Sequence, residues 1–92
     1  MNKVFNTQIF RLIIETSADL NTAIGLEVIY KSPDGSIGSW TAMQDPNRRS
    51  RMFCDCTALI QIGRWYVYGK ALYPEGEITG KRSFFDVINK PF

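Results

Sequence analysis

Cys54 and Cys56 are the only soft metal ligands in the sequence, and there is no histidine to join them. A structural zinc site takes four ligands, so this pair holds a metal only if subunits share one. Thiol catalysis is disfavoured on related grounds, because a cysteine nucleophile needs an adjacent base and histidine is the usual one. On a strand the i,i+2 spacing puts both thiols on one face with Cα atoms roughly 7 Å apart, poor geometry for a disulfide. They read as reduced core side chains. The carboxylates Glu15, Asp19, Glu27, Asp34, Asp45, Asp55, Glu75, Glu77 and Asp86 are scattered, several of them at turns. A glycosidase needs two carboxyls facing one cleft, and nothing in this pattern supplies them. With no glycine-rich phosphate loop either, the expectation is a protein that is not an enzyme and carries no cofactor and no metal.

Two recognition chemistries remain. Arg48, Arg49 and Arg51 sit in the longest polar stretch, Asp45 to Arg51, which reads as a surface loop. Guanidinium groups grip phosphate or carboxylate in a planar fork; the plainer reading is a solvated loop, and if the loop has a role a salt bridge to a neighbouring subunit fits it better than DNA. Nucleic acid is not expected, because the net charge is only +2 and the remaining positive charge is spread. Tyr66, Tyr68 and Lys70, with Tyr30 or Tyr73 as possible additions, form the second set. Such an aromatic platform binds protein, where tyrosine is enriched, or stacks on sugar. Packing between neighbouring strands within one small domain is the plainer use of the same residues.

The tyrosines belong to a strand that organises the chain, Gly63 to Tyr73, ended by Pro74-Glu75-Gly76. Alternation places Trp65, Val67, Gly69 and Ala71 on its core face and Arg64, Tyr66, Tyr68 and Lys70 on the other. Small Gly69 and Ala71 leave room for large side chains of a facing sheet. Gln8 to Glu15 and Ile24 to Lys31 read as earlier strands, the first with Phe10, Leu12 and Ile14 on one face, the second with Leu26, Val28 and Tyr30. Between them lies a polar turn, Thr16 to Thr22, with room for a short helix at most. Ser32-Pro33-Asp34-Gly35-Ser36 is a hairpin signal, after which Ile37 to Met43 returns antiparallel carrying Trp40. Met1 to Asn6 could pair at a sheet edge. Met52 to Thr57 reads as a short strand, and Thr57 to Gly63 as a helical turn or crossing in which Leu59 and Ile62 plug one end of the core. Glu77 to Ile88 is the expected last strand, bulged where Phe84-Phe85 breaks the alternation.

Ninety-two residues, 45% hydrophobic and 22% charged, make one soluble domain spanning residues 1–92. A chain this short buries roughly 60–65% of its unfolded surface, so one core must suffice. No apolar run approaches the roughly 20 residues that span a bilayer. The start lacks a signal-peptide pattern, so synthesis in the cytoplasm and no membrane partner are expected. Two hairpins of one grammar, Tyr30 to Ile37 and Leu72 to Ile78, imply two antiparallel sheets packed face to face. The spacing of turn signals fits an all-β, immunoglobulin-like two-sheet sandwich of about seven strands.

The order of several short patterns, covering about Gln8 to Val87, resembles a known family. They are Ala18-Asp19-Leu20-Asn21-Thr22-Ala23, the run from Val28 through Lys31-Ser32-Pro33-Asp34-Gly35 to Trp40-Thr41-Ala42, Gly63-Arg64-Trp65, and Tyr73-Pro74-Glu75-Gly76 with Gly80. This looks like the small immunoglobulin-like structural domains of tailed bacteriophage virions, similar to the N-terminal domain of baseplate upper proteins. The resemblance implies a virion component, a tail or baseplate adaptor or a capsid decoration, whose partners are other virion proteins and copies of itself. The chain departs from that pattern at Thr57 to Ile62, apolar where such proteins often carry an acidic segment, and in the Arg48 to Arg51 stretch. With no shaft or receptor-binding domain after Phe92, a whole fibre is not expected. An alternative from a different class is an adsorption module whose tyrosines stack on host surface polysaccharide.

Overall fold

Strand Gly63–Tyr73 stands at the bounds expected and forms the axis of the larger of two sheets. The computed structural model describes residues 3–5, 10–16, 18–56 and 61–89. In chain order they form β1 (Lys3–Phe5), β2 (Phe10–Glu15), a single 3-10 turn (Leu20–Thr22), β3 (Gly25–Lys31), β4 (Ile37–Thr41), β5 (Met43–Asp45), β6 (Arg48–Cys56), β7 (Gly63–Tyr73), β8 (Gly76–Thr79) and β9 (Ser83–Ile88). The larger sheet runs β1-β9-β7-β3-β4 with β8 also on β7, and the smaller runs β2-β6-β5. All pairings are antiparallel except β1 with β9. The chain is a two-sheet β-sandwich, and β9-β7-β3-β4 over β2-β6-β5 is the G-F-C-C′ over B-E-D order of immunoglobulin-like domains.

Nine strands appear among the described residues where about seven were expected, and two splits account for the difference. The expected strand Ile37 to Met43 breaks at Ala42, where the chain leaves the larger sheet for the smaller. Ala42 is buried at this corner and its N–H donates to Leu26 O at 2.9 Å, so a small side chain lets the strand switch sheets. The expected strand Glu77 to Ile88 divides into β8 and β9, which lie end to end along one edge of β7. Between them Gly80, Lys81 and Arg82 oppose only Tyr68 and Gly69, so the bulge lies there and not at Phe84-Phe85.

Asp45 to Arg51 is not a loop. Only Pro46 and Asn47 turn, with the Asp45 carboxylate accepting from Asn47 N at 2.9 Å, and β6 begins at Arg48. Gln44 pairs with Met52 and Asp45 with Arg48, which leaves Arg49 to Arg51 bulged out of the β5–β6 ladder. Thr57 to Ile60, including Leu59, lie outside the described residues, as do Met1, Asn2 and Gln8-Ile9. Ile62 does not plug the core, being 44% exposed.

The core forms because each sheet turns one set of alternate side chains inward. From the larger sheet come Val28, Trp65, Val67, Ala71, Phe85 and Val87, and from the smaller Ile14, Met52, Cys54 and Cys56. Gly69 lies close under the smaller sheet: a Cβ there would stand 2.9 Å from Ile14 Cγ2 and 3.1 Å from Met52 Cε. Its lack of a side chain makes room for the facing sheet, as its place in the alternation predicts. Aromatic rings line the inner face in a row, Tyr30 on Trp40 at 4.4 Å, Trp40 on Trp65 at 6.1 Å and Trp65 on Phe85 at 6.2 Å. Phe10 of the smaller sheet meets Phe85 edge-on at 5.5 Å. Such pairs add about 0.5–1.5 kcal/mol each beyond burial.

The β3–β4 hairpin is fastened to the segment before β7. Asp34 accepts from the Ser32 hydroxyl at 2.6 Å and from Ser36 N at 2.9 Å, and its other oxygen accepts from Gln61 Nε2 at 3.2 Å. Gln61 O in turn accepts from Trp65 Nε1 at 3.1 Å, so the turn is joined to the aromatic row. The hydrogen bond from Ser32, then those from Ser36, hold the Asp34 carboxyl down at about 2.

Two outcomes follow from these contacts. Gly69→Val overpacks the sheet interface and lowers stability by about 1–3 kcal/mol. Thermal unfolding reads this as a drop of about 4–8 °C per kcal/mol. Asp34 ordinarily titrates at 3.8 and is depressed in the folded chain, so its contribution is complete above that value and disappears as pH falls through about 2. Urea midpoints for the native chain and Asp34→Asn therefore differ most above pH ~4 and converge toward pH ~2. A gap that stays constant with pH shows that the charge contributes nothing.

Candidate interaction surface

The alternation that buries Trp65 and Val67 sends Tyr66, Tyr68 and Lys70 to the outer face of the larger sheet. Cross-strand register sets their neighbours: Tyr66 lies between Lys31 and Phe84, Tyr68 beside Ile29, and Lys70 between Glu27 and Thr79. Lys70 Nζ, half-buried, lies 3.3 Å from the exposed Glu77 across the β7–β8 hairpin. The tyrosines are half-buried by this packing and not free-standing. Tyr66 takes Phe84 edge-on at 6.5 Å, and the Arg82 guanidinium lies 4.6 Å from its ring centre. Arg64 covers Phe84 at 4.0 Å while its Nε donates to Asp86 at 2.9 Å. That bond raises the Arg64 pKa and lowers that of Asp86, so the pair stays charged.

Tyr30 and Tyr73 do not join this platform. Tyr30 faces inward in the aromatic row, as its alternation with Val28 requires. Tyr73 donates its hydroxyl to Asp19 O at 2.8 Å and so ties the end of β7 to the 3-10 turn. Sequence reading missed the residues that complete the face, Ile29, Ile37, Arg82 and Phe84. Ile37 is 72% exposed and Phe84 42%. For Ile29, Ile37 and Phe84 the signal available was an apolar residue on the outward side of the alternation, and for Arg82 there was none.

The arginines are on the other sheet and do not meet the tyrosines. Arg48 and Arg51 converge on Glu15 at 2.9 and 3.4 Å, Arg49 approaches Asp19 at 3.8 Å, and Arg51 reaches Asp45 at 4.0 Å. The Ser50 hydroxyl donates to Glu15, and with Arg48 and Arg51 it keeps that carboxyl below its ordinary range. All three cations thus have acidic neighbours within the chain. The cluster fastens β6 to β2 and to the turn after it. Exposed pairs of this kind contribute little to stability, but they leave less charge on offer to a partner.

Cys54 and Cys56 are buried on the inner face of β6 with sulfurs 3.8 Å apart, both free. Their mutual hydrogen bond lowers the pKa of Cys54 and raises that of Cys56, with burial adding to the rise. Among the described residues no three His, Cys, Asp or Glu side chains gather where a metal could be held. The most distinctive surface is therefore an outward sheet face, aromatic and aliphatic at its centre and charged around it. Sheets with one solvated face usually keep that face polar, and this one departs from that pattern. A scan against protein-family models finds no match for this chain, and a search of curated proteins finds none.

Proposed function

We propose that the chain is a structural component of a tailed bacteriophage particle, an adaptor of the tail or baseplate or a decoration of the capsid. It is made in the host cytoplasm, works in the virion and acts through contacts with other virion proteins and with copies of itself. The observation that carries this reading is the outer face of the larger sheet, where Ile37 and Phe84 are exposed beside half-buried Tyr66 and Tyr68. Protein interfaces concentrate tyrosine and arginine around an apolar centre, and this face has both. The resemblance of the turn and tryptophan pattern to virion sandwich domains supplies the particle. Host polysaccharide is the weaker reading, because sugars stack on bare rings and the Arg82 guanidinium lies over Tyr66.

Mass spectrometry of purified particles tests the assignment, with cryo-EM to locate the density; a chain absent from particles sinks it. The face is tested by Tyr66→Ser/Tyr68→Ser, outward substitutions that leave the core intact. Truncating interface hot spots costs about 2 kcal/mol or more, so incorporation into particles falls about thirtyfold while circular dichroism stays native. Full incorporation of that variant would remove this face from the interface.

A further inference from the structure

We infer that the outer face holds a socket for one apolar side chain of a partner protein, with acidic residues of the same partner on either side of it. This rests on the reading of the chain as an interaction module and goes further by assigning the partner's chemistry. Between β3, β4 and β7 lies a cavity of about 200 Å³ walled by Ile29, Ile37, Tyr66 and Tyr68, with Lys31 and Arg82 at its rim. Pockets that bury a small molecule span roughly 300–1,000 Å³, so this one suits a single inserted side chain. Its walls are apolar and aromatic, which selects an aliphatic or aromatic insert.

The rim selects the charge around that insert. Lys31 stands between Ile37 and Tyr66 in the cross-strand register, and Arg82 lies over the Tyr66 ring. Among the described residues Arg11 pairs with Asp55, Arg64 with Asp86, Lys70 with Glu77, and the three β6 arginines with Glu15, Asp19 and Asp45, while Lys3 and Lys81, which pair with no carboxylate, do not line this cavity. Lys31 and Arg82 have no carboxylate at ion-pair distance among the described residues. Two cations left unmatched at the mouth of an apolar cavity complement carboxylates flanking the residue that fills it. A second copy bringing this same face would set its own Lys31 and Arg82 against them, a like-charge contact that disfavours a symmetric dimer here. The occupant is therefore a different surface, acidic around an apolar residue.

The test uses the full chain, labelled with nitrogen-15, and two capped peptides, Glu-Glu-Leu-Glu-Glu and Lys-Lys-Leu-Lys-Lys. The acidic peptide produces saturable shifts at the amides of Ile29, Lys31, Tyr66 and Tyr68, with a dissociation constant on the order of millimolar for so small a ligand. Affinity weakens as salt is raised, because exposed charges are screened within about 10 Å at 0.1 M. Lys31→Glu/Arg82→Glu, two exposed positions, reverses the preference and restores binding with the lysine peptide. The proposal is overturned if the acidic peptide gives no saturable shift at this face, or if both peptides bind the native chain alike. It is overturned equally if neutral dextran shifts the same amides and the acidic peptide does not. Failure here in a chain found within particles leaves the virion role standing, and peptide binding by a chain absent from particles leaves the socket standing alone.

Discussion

The side-chain parity of β7 governs the molecule. Trp65 belongs to a row of rings running from Trp40 to Phe85, and Val67, Gly69 and Ala71 face the smaller sheet from the same side. A slip of one residue would send all of these to solvent and push Arg64, Tyr66, Tyr68 and Lys70 into the core, so the register is strongly fixed. The outward residues are thus positioned by the burial of their neighbours in sequence. The surface needs no separate device to hold it, because the same strand that closes the core presents the tyrosines.

Charge is divided between the two sheets in a way that follows from this arrangement. On the smaller sheet Glu15 faces Arg51 across β2 and β6 and also takes Arg48, and Asp19, the next acid in the chain, reaches Arg49. On the larger sheet the one-residue bulge at Gly80 to Arg82 carries Arg82 over Tyr66. A regular ladder would have no extra residue there. The bulge interrupts the pairing along this edge of β7 and aims a cation at the aromatic face.

Local signals made some of this legible from residues alone. The bounds of β7 and both hairpins were readable because Pro, Asp and Gly fix turns within four residues. Tyr30 was readable too, since alternation with Val28 already turned it inward; grouping it with Tyr66 ignored that parity. What could not be read depended on distant partners. Arg48 to Arg51 is polar enough to pass for a loop, and its two ends are fixed by Asp45 of β5, which pairs with Arg48, and by Glu15 of β2, more than thirty residues earlier, which pairs with Arg51. Ala42 reads as an ordinary strand residue until the second sheet gives the chain somewhere to cross. The socket was invisible for the same reason, since Ile37, Tyr66 and Arg82 come from three separate stretches.

A sandwich standing alone gains by keeping both outer faces polar, and this one keeps neither. Besides the tyrosine face, Ile13, Phe53 and Met43 lie in one cross-strand row on the outside of the smaller sheet, with Ile13 53% and Met43 64% exposed. Arg11 lies over Phe53 at 4.2 Å, so one ring of that row is partly screened while its flanks are open. Leaving apolar surface in water forfeits roughly 25 cal/mol per Å², a loss a small domain sustains poorly. The exposed apolar side chains therefore stand in rows on opposite outer faces of the sandwich. One apolar face alone would leave the second row unexplained, so both sheets of this sandwich depart from the polar exterior usual for a solvated sheet face.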